Sequence, residues 1–161
     1  MISSNALLDE LLAVKQFTID SETAMQEFGG RLSKALPEGA LVTLSGELGA
    51  GKSVLARSII HSLGYEGRVK SPTYTLIETY EIENVAGNVS QLAHLDLYRL
   101  SDPEELDYLA FDDVLQVSSL VLIEWAELGG DRVPTEALHV HIEYADDNRR
   151  LVKLTVPEKS A

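Results

Sequence analysis

The 161 residues contain no cysteine, one tryptophan and three phenylalanines. The first absence removes disulfides, thiolate metal sites and cysteine nucleophiles together. Basic residues are scarce as well: 13 lysines and arginines stand against 26 acids, a formal charge of −13. Such a chain repels a nucleic-acid backbone, so any connection with RNA is expected to run through another protein. No run of 18 uncharged apolar residues exists to span a membrane. The start, Met1-Ile2-Ser3-Ser4-Asn5, has no basic region, and Asp9 and Glu10 interrupt Leu7-Leu8 and Leu11-Leu12, unlike a signal peptide. A cytoplasmic protein without membrane contact, monomeric by itself, is the expectation.

What the chain does have is Gly46-Glu47-Leu48-Gly49-Ala50-Gly51-Lys52-Ser53, which fills every fixed position of the phosphate-binding pattern G-x-x-x-x-G-K-[ST]. The apolar run Leu41-Val42-Thr43-Leu44 precedes it and the helix-like Val54 to Ile60 follows, the strand, loop and helix order the pattern needs. Gly46, Gly49 and Gly51 allow the loop to turn sharply and aim consecutive N–H groups at phosphate oxygens. Lys52 adds a mobile charge for the β- and γ-phosphates, and the Ser53 hydroxyl is placed for Mg²⁺. The positive end of the following helix helps. These residue types point to a nucleoside triphosphate.

The remaining pattern interleaves helices and strands. A short amphipathic helix is expected over residues 4 to 14, as an extension ahead of a single domain at 15–161. A strand follows from Gln16 to Ile19, then a helix capped by Ser21 and running to Leu36, where Pro37 and Gly39 break it. The buried strand feeding the loop is Leu41 to Ser45, and the helix after the loop ends near Gly64. Tyr74 to Ile82 and Val89 to Leu97 read as a hairpin across the turn-prone stretch Asn84 to Asn88. Ser101-Asp102-Pro103-Glu104 reads as a capping box opening a helix with Leu106, Leu109 and Phe111 on its buried side. Ser119 to Glu124 is a continuous apolar run closed by an acid, and Leu138 to Tyr144 with Leu151 to Val156 form a closing hairpin. The fold class is α/β, a P-loop-type three-layer sandwich with a mixed sheet, parallel at its centre and antiparallel at its margins.

Hydrolysis needs a further acid for the metal and a means of positioning water. Glu124 and Asp96 compete, each at the end of a β run where strand termini meet a phosphate crevice. Either could instead be a structural or surface acid. His94 alternates with Asp96 and shares its side of the strand, where a histidine is more often structural than catalytic. Arg99 could face phosphate or be solvated. Thr73 and Thr75, after Ser71-Pro72, fit either a γ-phosphate-sensing loop or ordinary turn chemistry. Trp125 on composition is a core or rim aromatic. The acidic run Glu104, Glu105, Asp107, Asp112 and Asp113 fits a solvated face or a basic partner. Arg99 is the sole cation between residues 71 and 125, which speaks against a small-molecule kinase. A nucleotide-dependent regulatory switch is the other alternative.

In order and spacing, Gly46 to Ser53, Ser71-Pro72-Thr73-Tyr74-Thr75-Leu76, His94-Leu95-Asp96-Leu97-Tyr98-Arg99-Leu100 and Ile123-Glu124-Trp125-Ala126-Glu127 together resemble the bacterial TsaE (YjeE) family. The resemblance covers roughly residues 16 to 156. It implies a P-loop ATPase that supports the TsaB and TsaD proteins in threonylcarbamoylating the adenosine after the anticodon of tRNAs reading ANN codons, with tRNA met indirectly. It further implies that Gly46, Glu47, Leu48, Gly49, Ala50, Gly51, Lys52, Ser53 and Val54 surround the phosphates, that Ser53 and Glu124 hold Mg²⁺, and that Asp96 is needed for hydrolysis with Lys52 and Glu124. Thr73 to Leu76 would form a switch-like loop, with Thr75 and Trp125 also near the nucleotide. Two departures are visible. Ser53-Val54 stands where the family commonly has two threonines, and Ala126 where it often has proline. Serine keeps the hydroxyl that the metal needs.

Overall fold

The structure is a computed structural model that describes residues 4–47, 49–83 and 86–157. Leu48 and part of the Asn84 to Asn88 turn therefore lie outside the described residues. Among the described residues a seven-stranded sheet runs in the order β1-β7-β6-β2-β5-β4-β3. Its strands are β1 (Gln16–Ile19), β2 (Ala40–Gly46), β3 (Ile77–Glu83), β4 (Val89–Asp96), β5 (Ser118–Glu124), β6 (Leu138–Tyr144) and β7 (Arg150–Thr155). The centre is parallel: β2 pairs with β5 and β6, and β5 pairs with β4. The margins are antiparallel, β3 on β4 at one side and β6, β7 and β1 at the other. Parallel strands need both faces covered, and that is why β2 and β5 read as apolar runs while the outer strands alternate.

The alternation along each strand divides the interior in two. One side of the sheet takes Val42, Leu44, Leu92, Leu120, Leu122, Val140, Ile142, Val152 and Leu154. They pack against α2 (Glu22–Ala35) and α3 (Lys52–Ser62) through Met25, Phe28, Leu32, Leu55 and Ile59. The helix α1 (Ser4–Val14) joins this side by burying Leu11, with Leu7, Leu8 and Leu12 packed partly against it. The other side holds Ala93, Leu95, Val121 and Ile123 under the short helices α4 (Glu105–Tyr108) and α5 (Phe111–Val117) and their flanks, with Leu97, Leu106 and Phe111 buried. Helices on both faces of one mixed sheet make the three-layer sandwich that the sequence pattern predicts.

Local chemistry explains the boundaries. Ser21 caps α2 as expected, its Oγ accepting the Ala24 N–H at 3.0 Å. Gly29 lies so close to α3 that an added Cβ would sit 2.7 Å from the Ser58 Cβ, so the α2–α3 contact is set by a missing side chain. Two expectations are corrected. β3 begins at Ile77 rather than Tyr74, because Pro72 to Leu76 close a turn in which the Leu76 N–H donates to the Pro72 carbonyl at 2.8 Å. Leu76 adopts φ +68, a left-handed value that no strand accommodates. The capping box at Ser101 does not form either. Asp102 Oδ1 accepts the Glu104 N–H at 2.8 Å instead, and α4 spans only Glu105–Tyr108 before left-handed Ala110 (φ +56) redirects the chain into α5. Leu106 and Phe111 are buried across that bend, with Leu109 half-buried.

Candidate active site at the carboxyl ends of the parallel strands

The three central strands β2, β5 and β4 end side by side, and their register brings the acids together. Leu44 is opposite Glu124 across β2 and β5, and Asp96 is opposite Glu124 across β4 and β5. Adjacent parallel strands lie about 4.8 Å apart, so Asp96 and Glu124 are neighbours although 28 residues separate them. Both side chains point to the α3 side, by the same alternation that buries Leu92 and Leu122 there. Asp96 is 7% and Glu124 4% exposed. Carboxylates are rarely this buried without a task that repays the lost hydration.

The glycine-rich loop leaves β2 at the same edge. Gly46, Gly49 and Gly51 have φ of +143, +81 and +116, values open to glycine. At Gly46 the space is as decisive as the angle, since a Cβ would come within 2.4 Å of the Ile142 carbonyl oxygen. Gly51 opens α3, and no side chain caps that helix, so its first N–H groups face the loop. Lys52 is 6% exposed, and its ammonium donates to the Gly46 carbonyl at 2.8 Å and sits 4.2 Å over the Trp125 ring. Ser53 is exposed at the start of α3, Val54 is half-buried, and Glu47 is exposed. Trp125 thus meets the lysine of the loop. Its backbone is left-handed (φ +58) directly after Glu124, and Tyr98 packs on it with ring centres 5.1 Å apart.

The segment after Ser71 folds over Asp96. The Asp96 N–H donates to the Leu76 carbonyl at 3.0 Å, and Asp96 Oδ1 accepts the Tyr98 N–H at 3.0 Å. The Thr73 hydroxyl lies 3.5 Å from Asp96 Oδ2, a long contact, and 2.7 Å from the Ser71 hydroxyl. Thr75 turns the other way, donating to Glu78 Oε1 at 3.0 Å. Of the two threonines, Thr73 is beside the acid and Thr75 is not. Arg99 stacks on the exposed Tyr74 ring at 4.4 Å.

Two contributors escape a reading of the sequence alone. Arg150 donates from Nε to the Ala50 carbonyl of the loop at 3.1 Å, with its guanidinium 4.1 Å over the Tyr144 ring. It closes one side of a 230 Å³ cleft that runs from Gly49, Ala50 and Gly51 to Ser21, Glu22, Met25 and Asn148. Nothing in its sequence neighbourhood marks it. Ala50 and Arg150 are 100 positions apart in the chain, and the β2–β6 and β6–β7 pairings bring them together. The second is His94, which donates from Nε2 to Glu124 Oε2 at 2.8 Å. Its alternation with Asp96 was legible, but its partner on β5 was not.

The donors are of the kind that hard cations take. No group of three or more histidine, cysteine or acidic side chains arranged to hold an ion occurs among the described residues. An all-protein cage is therefore not what this edge offers. A hydroxyl at Ser53 and a carboxylate at Glu124 are hard oxygen donors, an incomplete set of a kind that fits Mg²⁺ when phosphates supply the remaining positions.

A glycine-rich loop between a parallel strand and a helix, with acids at the ends of the neighbouring strands, defines a P-loop-type α/β protein. The comparisons with known proteins narrow this class. The family described as "Threonylcarbamoyl adenosine biosynthesis protein TsaE" matches residues 19–152. A Haemophilus influenzae protein named tRNA threonylcarbamoyladenosine biosynthesis protein TsaE is 41% identical over 138 residues, covering 83% of this chain and 84% of its own. A protein of the same name from Bacillus subtilis is 35% identical over 117 residues, covering 73% of this chain and 70% of its own. The crystal structure of Bacillus subtilis YdiB superposes with a TM-score of 0.69 at 26% identity, covering 88% of this chain and 84% of that one. The chain belongs to the TsaE family.

Proposed function

We propose that this chain is the ATP-binding, ATP-hydrolysing component that supports TsaB and TsaD in forming threonylcarbamoyladenosine on tRNA. The observation that carries the reading is the register of Asp96 and Glu124 at the mouth of the glycine-rich loop. A nest of backbone N–H groups with a lysine binds phosphate, and adjoining acids at strand ends supply what phosphoryl transfer asks for beyond binding. In this reading Gly46 to Val54, Leu48 included, surround the phosphates, and Lys52 turns from the Gly46 carbonyl toward the β- and γ-phosphates. Ser53 and Glu124 hold Mg²⁺, which when bound neutralises charge on the phosphate oxygens. Asp96 orients the attacking water, and Thr73 reports the occupancy of the site to the 72–76 turn. Trp125 shields the lysine from solvent. The nucleoside lies toward the 230 Å³ cleft, where Arg150 offers a cation and Met25 an apolar floor.

The pathway is supported by membership of the family and by the names of the relatives, and the charge of −13 disfavours a direct grip on a tRNA backbone. Contact with tRNA is accordingly indirect, and the protein works in the cytoplasm. The test is Mg²⁺-dependent ATP hydrolysis by the purified chain, alone and with TsaB and TsaD, beside Glu124→Ala. Weak activity that rises with the partners and disappears in the variant is expected. Activity indifferent to the partners would leave the nucleotide site standing and remove the pathway.

A further inference from the structure

We infer that His94 is the positioning residue for the Glu124 carboxylate, holding one oxygen so that the other is presented to the metal. The inference rests on the reading of Glu124 given above. Leu92, His94 and Asp96 of β4 and Leu120, Leu122 and Glu124 of β5 all face the α3 side. His94 is opposite Leu122, one pleat short of Glu124, so its ring lies behind the carboxylate as seen from the loop. The Nε2–H donates to Oε2 at 2.8 Å, with side chains 3% and 5% exposed. From this depth neither group can exchange its partner for water.

The remaining nitrogen is the telling one. His94 Nδ1 is buried and has no hydrogen-bond partner among the described residues. A ring kept for packing would leave no bare nitrogen in the interior, because an apolar side chain of similar size fills the same slot without that penalty. A leucine or phenylalanine, however, cannot donate to Glu124. The single bond the ring makes is thus the one its presence explains, and it leaves Glu124 Oε1 as the oxygen not committed to the histidine. Partners of this kind set ligand orientation in metal sites, and their loss typically weakens metal binding about 10- to 100-fold.

The test uses the full chain with ADP and Mn²⁺, the latter as a spectroscopic substitute for Mg²⁺. Bound Mn²⁺ is read by electron paramagnetic resonance, and ADP affinity in EDTA is measured separately by fluorescence. A glutamine amide nitrogen reaches the place of Nε2, whereas that of asparagine reaches only the place of Nδ1. His94→Leu and His94→Asn are expected to weaken Mn²⁺ binding about 10-fold or more with metal-free ADP affinity kept, and His94→Gln to recover most of it. Equal Mn²⁺ binding in the glutamine and asparagine variants overturns the assignment, whether at wild-type strength or equally weakened. So does a loss of metal-free ADP binding in step with the metal. Glu124→Gln separates the two levels of the argument. If it leaves Mn²⁺ binding intact, Glu124 is not the metal acid; if it weakens binding while the His94 variants do not, only the positioning role fails.

Discussion

At the level of single residues, the proposed function rests on buried charge with few partners. Lys52 touches one carbonyl and one aromatic face, so in the proposed site removing its ammonium should cost the fold little and phosphate binding much. Lys52→Ala is expected to weaken ATP binding about 30- to 100-fold, the equivalent of about 2 to 3 kcal/mol of charge-assisted hydrogen bonding, in a calorimetric titration. Unchanged affinity would falsify the phosphate site. Asp96 differs, because its Oδ1 also holds the Tyr98 N–H. Asp96→Asn keeps an oxygen for that backbone bond and gives up the negative charge. ATP binding should persist while single-turnover hydrolysis falls about 100-fold or more, within the usual range for a lost proton-transfer group. Hydrolysis at the wild-type rate would make Asp96 a structural acid of the 72–76 turn. The chemistry of Lys52, Ser53 and the three glycines is legible in the sequence because the pattern is contiguous. Arg150 and the His94 bond are not, since each joins segments that only tertiary pairing makes neighbours.

Among the elements, the least regular ones carry the most specific contacts. The connector before β3 is anchored by Tyr80, whose hydroxyl donates to the Lys70 carbonyl at 3.1 Å and accepts the Lys70 N–H at 3.0 Å. Burial first, and the nearby Glu78 and Tyr65 further, push the Tyr80 hydroxyl above its ordinary value of 10.0, against the lowering effect of the Lys70 bond. The sign follows by linkage. Above pH 10 the unfolded chain gives up this proton while the folded chain keeps it, so stability is whole below pH 10 and declines as pH rises toward the folded value. Chemical denaturation at pH 9 and pH 11 should show that decline, and Tyr80→Phe should reduce it while lowering stability at pH 9. An identical alkaline loss in the variant would assign it to other groups. The strand starting at Tyr74 and the capping box at Ser101 were misread for one reason. Threonine and tyrosine favour strands and Ser101-Asp102-Pro103-Glu104 fits a capping pattern, but the hydrogen bonds of the Pro72 to Leu76 turn and of Asp102 override those local preferences. The helix capped by Ser21 was read correctly because cap and apolar periodicity lie within one stretch of chain.

For the whole molecule, the two interior clusters and the surface charge set different properties. A net charge of −13 on 161 residues opposes compaction through self-repulsion. Salt shortens the reach of that repulsion, from about 30 Å at 0.01 M to about 8 Å at 0.15 M. The melting temperature measured by circular dichroism should therefore rise across that interval, and a fall would mean that surface pairs such as Arg132 with Asp107 outweigh it. The class of fold could be read before any coordinates, because buried parallel strands, amphipathic helices and the glycine-rich loop each write their periodicity into a continuous segment. The composition likewise excluded thiol chemistry, and no described helix is long and apolar enough to cross a membrane. Tertiary structure alone decided the strand order β1-β7-β6-β2-β5-β4-β3, and with it every relation across the site. Asp96 faces Glu124, His94 reaches Glu124, Trp125 covers Lys52 and Arg150 braces Ala50 because of pairings between distant segments. A sequence records which groups a strand carries to its end; which ends meet is fixed by the packing of the whole sheet.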